Sequence, residues 1–219
     1  ANMERPADLY LDNLLMGTHI IEAARVAPSV EKTVLLGTVC SYPKFTPVPF
    51  KETELWNGYP EETNAPYGVA KKAVLMGAQA YRDQYGLRTA YLLPANLYGP
   101  GDNFELESSH VVPALMRKFH EAKLAGRDVV EIWGTGAPRR EFLHVDDLAD
   151  ACVFLMNNYA DPMHNNVGVG DDLPIAELAA MIKRVVHPNA TIVYDRSKPD
   201  GAPRKLLDVS RLHALGWRH

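Results

Sequence analysis

The sequence predicts an α/β fold built around a parallel sheet. Short apolar runs alternate with longer segments in which apolar residues recur at helical spacing. The runs at 33–36 and 89–94 are each followed by a polar turn. Because ligands of parallel α/β sheets bind beyond the carboxyl ends of the strands, we expect the functional site at these two turns.

The first half of the chain is predicted to contain two long helices. Apolar residues at helical spacing indicate helices over 8–27 and 66–85, and Gly86 is a suitable cap for the second. Apolar residues of the first helix spread over more than one stripe, which is typical of burial against both a sheet and a partner helix. The Pro-rich loop at 42–60 is long enough to indicate a functional segment.

The second half shows a similar alternation. Its predicted helices and strands lie at 111–122, 146–156 and 175–186, and at 129–133 and 191–194. The glycines of 167–170 begin no clear strand–loop–helix unit, so we interpret this segment as a turn.

The bulk composition excludes several classes of function. The 219 residues are 47% hydrophobic and 23% charged with a net charge of −4, which is typical of a soluble globular protein. No basic run predicts nucleic-acid binding, and no apolar run approaches the length that a membrane span requires. Two cysteines fit a reducing compartment, and ungrouped histidines predict no metal site.

Four side chains at or near the predicted strand ends form a candidate catalytic set. Tyr67 and Lys71 are four residues apart, so they share one helical face. A phenol keeps its proton up to about pH 10, and a nearby cation and hydroxyl would favour its ionised form. Thr38 supplies such a hydroxyl, and Cys40 follows it in the same turn, where a thiol can act as a base.

Seven segments, in order, resemble the nucleotide-sugar branch of the extended short-chain dehydrogenase/reductase family. They are GTVCSYP at 37–43, NAPY at 64–67, PANLYGP at 94–100, DNF at 102–104, SHVVP at 109–113, REFLHVDD at 140–147 and KPDGAPRKLLD at 198–208. The resemblance is closest to members that epimerise and then reduce a GDP-linked 4-keto-6-deoxymannose. It implies a Rossmann-like sheet and NADP as the cofactor.

The resemblance also implies a role for each catalytic candidate. Tyr67 would protonate O4 of the sugar as hydride reaches C4, while Lys71 and Thr38 assist it. Cys40 would be the base of the epimerisation, and His110 would protonate the opposite face of the same carbon. Cys152 lies in an apolar segment and is interpreted as a core residue.

Binding residues follow from the same resemblance. Those expected at the cofactor are Leu36, Gly37, Thr38, Val39, Tyr67, Lys71, Pro94, Ala95, Asn96, Leu97 and His110. Those expected at the GDP-sugar are Lys118, Trp133, Arg140, Asp200 and Lys205. Lys118 replaces an arginine of the family pattern, so an ammonium stands where a guanidinium usually donates two parallel hydrogen bonds. Arg139 and Arg204 are interpreted as bystanders.

The Gly-rich turn of a dinucleotide-binding fold does not occur in the sequence. The resemblance therefore suggests a fragment that lacks the N-terminal half of the sheet and the C-terminal end. We expect residues 1–105 to be the remainder of the cofactor domain and 106–219 to bind mainly substrate. The strand and helix around 129–160 could return to the first sheet.

Two further expectations concern partners and alternatives. The resemblance implies a cytoplasmic homodimer formed through the helices at 8–27 and 66–85, with no membrane or nucleic-acid partner. The rival functions are a nucleotide-sugar 4-epimerase or dehydratase, which would lack the Cys40/His110 pair, and a catalytically silent binding module. Preference between NADPH and NADH is left open, because the deciding residue falls outside this sequence.

Overall fold

The computed structural model describes residues 3–106 and 108–219. The helices of this part are α1 (Pro6–Val26), α2 (Ala65–Tyr85), α3 (Val111–Leu124), α4 (Val145–Asn158), α5 (Ile175–Val186) and α6 (Ser210–Ala214). Its strands are β1 (Thr33–Leu36), β2 (Thr89–Pro94), β3 (Asn96–Tyr98), β4 (Val129–Trp133), β5 (Arg139–Arg140), β6 (Phe142–His144), β7 (Asn165–Val167), β8 (Leu173–Pro174), β9 (Thr191–Asp195) and β10 (Arg204–Lys205).

The main sheet is parallel and has the order β1-β2-β7. Leu36 is the register partner of Leu92, so β1 and β2 end at the same edge. Helices α1 and α2 pack against each other, and α4 lies against β1 and β2. These elements share one apolar core, which confirms the predicted α/β class with a parallel sheet.

A second apolar core lies under α3 and α5. These helices pack together beside the parallel pair β4–β9, whose alternate residues Val130 and Ile132 are buried. Two small ladders complete the fold: β3 pairs with β6, and β10-β5-β8 form a sheet of two-residue strands. The two-residue strands bring distant parts of the chain to the carboxyl edge of the main sheet.

The structure corrects one expectation about the second half and confirms another. The strand at 129–133 pairs with β9 and does not return to the main sheet, although α4 does pack there. The segment interpreted as a turn at 167–170 directly follows β7: Val167 is the last residue of this buried strand of the main sheet, and 168–170 form the turn. Buried Asn165 and Asn166 concealed this strand, because asparagine is rare in strands. The division of the chain at 105/106 remains a prediction.

Helix ends agree closely with the sequence patterns. α2 ends at Tyr85, and Gly86 takes the left-handed conformation (φ 71°) that its missing Cβ permits. α5 has the predicted bounds. In the described part of the chain, no helix combines the length and apolar character needed to cross a membrane.

Candidate functional site

The turn after β1 places Thr38 and Cys40 side by side. Thr38 is buried and extended, and its Oγ1 accepts a hydrogen bond of 3.2 Å from the Cys40 backbone N–H. This bond caps a short 3-10 turn, Val39–Ser41. The thiol is half-buried and reduced. A strand that ends in such a turn therefore offers a hydroxyl and a thiol at the same edge of the sheet.

The start of α2 lies directly against this turn. The Ser41 hydroxyl donates to the Gly68 carbonyl at 3.0 Å. A Cβ added to Gly68 would come 2.6 Å from the Cys40 carbonyl oxygen, so only glycine permits this approach. Tyr67 precedes Gly68, and the close packing therefore fixes the phenol next to Thr38.

Tyr67, Lys71, Thr38 and Cys40 form one group, which we call the strand-end cluster. The Lys71 Nζ lies 5.8 Å from the centroid of the Tyr67 ring. Burial raises the pKa of Tyr67, the neighbouring Cys40 raises it further, and a hydrogen bond with Thr38 opposes both. Burial lowers the pKa of Lys71.

The sequence expectation that Lys71 favours the phenolate is therefore wrong for the chain by itself. Desolvation of the half-buried phenol raises its pKa, and the Lys71 ammonium, 5.8 Å from the ring centroid, is itself partly desolvated.

The turn after β2 carries the other residues expected at the cofactor. Ala95 is buried and donates its N–H to the Val167 carbonyl at 2.9 Å, and Asn96 donates its amide to the Glu141 carbonyl at 2.8 Å. Leu97 lies in β3, opposite Leu143 of β6. Since β1 and β2 end at the same edge, this turn adjoins the turn of Thr38.

His110 lies at a different opening. It is exposed, directly precedes α3 and lines a cavity of about 270 Å³ together with Leu97 and Tyr98. The structure brings His110 next to the β2 turn. A different set of residues lines the cavity of about 590 Å³ that contains Cys40.

Cys40 faces the positively charged side of the site. The Lys205 Nζ lies 4.0 Å from the Cys40 Sγ. Burial lowers the pKa of Arg140, and electrostatic interactions with Cys40 and Asp200 oppose that shift. Arg140 and Lys205 are register partners in the β5–β10 pair, and we call them the cation pair.

A cavity of about 590 Å³ opens between the Pro-rich loop and the 200–205 segment, with Cys40 and Lys205 in its wall. Asp200 and Gly201 also line a neighbouring cavity of about 200 Å³ that includes Trp133 and Arg140. The two openings adjoin at these shared residues. Together they place four of the five expected substrate residues around one connected region.

Lys118, the fifth, lies close to the same region. Its Nζ is 4.7 Å from the Trp133 ring centroid and donates to the Glu131 carbonyl at 3.1 Å. Lys198 lies over the same ring at 5.3 Å. Asp200 accepts two bonds from Thr135, through the backbone N–H at 2.9 Å and the hydroxyl at 2.6 Å.

Asn166 attaches the Pro-rich loop to the main sheet through its side chain and its backbone N–H. Asn166 of β7 donates to the Phe50 carbonyl at 2.8 Å and accepts from the Tyr42 hydroxyl at 2.7 Å, while its backbone N–H donates to Glu52 at 3.0 Å. Burial raises the pKa of Glu52. This loop forms much of the larger cavity's wall, so Asn166 fixes that wall.

Two buried carboxylates were missed by the sequence reasoning. Glu141 accepts from the backbone N–H groups of Gly170 at 2.7 Å and Leu207 at 2.9 Å. Asp172 binds Arg139 and Arg204, the residues interpreted as bystanders. The sequence offered one signal: an arginine precedes each of two substrate candidates, Arg139 before Arg140 and Arg204 before Lys205. Because a carboxylate is rarely buried unless it is paired, such arginines are possible partners for a buried one.

Within residues 3–106 and 108–219, no group of three or more potential metal-ligating side chains could hold an ion.

The chain matches a family model and many known proteins. The model of the "NAD dependent epimerase/dehydratase family" matches residues 1–170. "Probable GDP-L-fucose synthase 1" from Oryza sativa subsp. japonica is 50% identical over 218 residues, which are 100% of this chain and 66% of that protein. The chain thus spans about two thirds of the length of this relative.

Solved structures give the same picture. A GDP-6-OMe-4-keto-L-xylo-heptose reductase from C. jejuni superposes with a TM-score of 0.92 at 34% identity, over 100% of this chain and 74% of that chain. A GDP-L-fucose synthetase from Naegleria fowleri bound to NADP superposes with a TM-score of 0.91 at 29% identity, over 96% of this chain and 67% of that chain. The protein therefore belongs to the NAD dependent epimerase/dehydratase family.

Proposed function

We propose that the protein acts in the NADPH-dependent conversion of GDP-4-keto-6-deoxymannose to GDP-L-fucose. The observation that carries this proposal is the position of Cys40. It lies two residues beyond Thr38, beside Tyr67, and its sulfur faces Lys205 at 4.0 Å. Reduction alone requires the phenol, whereas inversion next to a ketone also requires a base such as a thiolate. The sequence relatives named GDP-L-fucose synthase support this choice.

The residues expected at the cofactor fit a nicotinamide ribose. Within the described part of the chain, the half-buried Lys71 ammonium has no carboxylate partner, so its N–H groups can donate to ribose hydroxyls. The strand ends of β1 and β2 provide buried, small or apolar residues such as Val39 and Ala95 for the ring. When bound, NADPH supplies the hydride. The NADP-bound relative supports this cofactor.

The proposed epimerisation is proton transfer at carbon. The Cys40 thiolate removes a proton from C3 or C5, and the electron pair of that bond moves toward the C4 carbonyl oxygen. His110 returns a proton to the opposite face of the carbon. His110 lines the cavity beside Leu97 and not the cavity that contains Cys40, so this role requires a substrate that reaches both cavities.

The proposed reduction uses the rest of the strand-end cluster. Tyr67 donates its proton to O4 as hydride arrives at C4, and Thr38 hydrogen-bonds the same oxygen. A buried phenol with a raised pKa holds its proton at neutral pH, which suits an acid at the start of this step. Arg140, Lys205 and Lys118 supply positive charge for the diphosphate, Trp133 provides an aromatic face, and Asp200 accepts from ribose or guanine.

The test is proton exchange at C3 and C5 in D₂O, followed by NMR, together with NADPH oxidation. Cys40→Ser should slow the exchange by about 10²–10⁴-fold, the scale of a positioned acid or base. Cys152→Ser is the matched control: this cysteine lies in α4, burial raises its pKa, and no effect is expected. Normal exchange in Cys40→Ser would favour a 4-epimerase or dehydratase. Binding of both NADPH and the GDP-sugar by the unaltered protein without any turnover would favour a silent binding module.

We also propose that the protein is a cytoplasmic homodimer formed through α1 and α2. Several large apolar side chains of this helix pair are exposed: Tyr10, Leu11, Leu15, Met16, Ile20 and Met76. Grouped exposed apolar residues are typical of interaction surfaces. The two free cysteines fit a reducing compartment. Leu15→Glu should convert the dimer to a monomer in sedimentation experiments, whereas Leu124→Glu on α3 should not.

A further inference from the structure

The cation pair beside Cys40 places two positive charges next to each other. Arg140 and Lys205 are neighbours in a parallel pair of strands only two residues long. Two like charges repel, and burial lowers the pKa of Arg140, so the ladder needs additional attachment to hold both cations near the sulfur.

The residues that precede the cation pair, Arg139 in β5 and Arg204 in β10, provide this attachment. Arg204 donates from Nε to Asp172 Oδ2 at 2.5 Å, and Arg139 donates from Nε to Asp172 Oδ1 at 2.7 Å. Arg139 also donates from Nη2 to the Asp172 backbone carbonyl at 2.6 Å. We call these three residues the Asp172 fork. Successive strand residues point to opposite faces, so Arg140 and Lys205 project from the face opposite to the Asp172 fork, toward the site.

Asp172 is placed to act as a fixed anchor. Its side chain is 0% exposed, while those of Arg139 and Arg204 are 40% and 44% exposed. Burial alone would raise the pKa of Asp172, but hydrogen bonds from Arg204 and Arg139 keep it below its ordinary value. A buried carboxylate with two charge-assisted bonds is among the strongest local restraints that a protein offers.

We propose that Asp172 is a positioning residue for proton abstraction by Cys40. It acts through Arg139 and Arg204, which hold β5 and β10 in register and thereby keep Lys205 at the Cys40 sulfur. The role of Cys40 as a base rests on the proposed function, but the arrangement of the thiol and its cation does not.

The test measures the reactivity of Cys40 directly. In a Cys152→Ser background, the rate of alkylation by iodoacetamide at pH 7.5 reports the thiolate at Cys40 alone. Lys205→Gln and Asp172→Asn should each slow alkylation by about tenfold. The double variant should be no slower than Lys205→Gln, because Asp172 acts through Lys205. Asp161→Asn is the matched control, since it removes an exposed carboxylate that pairs with Arg211 away from the site.

Each outcome decides the proposal. Unchanged alkylation in folded Asp172→Asn, or additive effects in the double variant, would overturn it. If Asp172→Asn does not fold, as judged by circular dichroism, Arg204→Gln removes one half of the fork and should still slow alkylation several-fold, whereas an unchanged rate would overturn the proposal. Slow alkylation combined with normal C3/C5 exchange would support the positioning role and contradict the proposed role of Cys40.

Discussion

The strand-end cluster and the Asp172 fork position side chains in different ways. In the cluster, Tyr67 and Lys71 are fixed by helical spacing, and Gly68 lets the helix contact the turn of Thr38. In the fork, residues from three distant segments meet at one buried carboxylate. The comparison shows that local backbone geometry can arrange the proposed proton donor, whereas the proposed base depends on charges brought together by the tertiary fold.

The largest expected effect is a loss of NADPH oxidation when a lysine of the strand-end cluster is replaced, and the adjacent lysine serves as the control. Lys71→Met should lower the rate of NADPH oxidation by on the order of 10³-fold, since it removes the ammonium proposed to bind and orient the nicotinamide ribose. Lys72→Met is the matched control, because Lys72 contacts the Leu55 carbonyl and the Trp56 ring. Alkylation of Cys40 should be normal in both variants. A tenfold slower alkylation in Lys71→Met would mean that the two regions are not separate.

A pH effect on stability should arise at His164, which directly precedes β7 of the main sheet. His164 is 1% exposed, and burial lowers its pKa to about 4 from an ordinary 6.5. The unfolded chain therefore binds this proton more readily, so stability is complete above about pH 6.5 and falls as the pH drops toward 4. The loss should be about 3 kcal/mol.

Urea unfolding at several pH values checks this prediction. His164→Gln should flatten the decline between pH 6.5 and pH 4, whereas His120→Gln, at an exposed position, should not. An unchanged slope in His164→Gln would assign the acid sensitivity to other groups.

A smaller effect tests the close approach within the strand-end cluster. Gly68→Ala should destabilise the protein by about 1–3 kcal/mol, because its Cβ would overlap the Cys40 carbonyl. A Cβ at Gly77 in the same helix would lie 3.7 Å from Ile21 Cδ1, so Gly77→Ala should instead stabilise the protein by about 0.5–1 kcal/mol. Thermal unfolding of both variants compares them. Equal shifts would show that the contact with the turn does not restrict position 68.

The sequence predicted those features that depend on local pattern. The bounds of α5, the cap at Gly86 and the adjacency of Thr38 and Tyr67 all follow from periodicity, glycine chemistry or strand order. The roles of the individual site residues remain predictions.

Features that depend on distant contacts were not predictable in this way. β7 was missed because both of its asparagines are buried, and Asn166 is held by hydrogen bonds to a loop more than a hundred residues away. The roles of Arg139 and Arg204 were missed because Asp172 lies far from Arg139 in sequence and no periodic pattern links them. The raised pKa of Tyr67 was missed because desolvation depends on how the phenol packs.

The most direct measurement is deuterium incorporation at C3 and C5 in Tyr67→Phe, followed with GDP-4-keto-6-deoxymannose and NADPH in D₂O. We predict that reduction is abolished while incorporation proceeds at the rate of the unaltered protein, because the phenol serves only the hydride step and Cys40 keeps its cation. Loss of incorporation together with reduction would contradict the division of work between Tyr67 and Cys40.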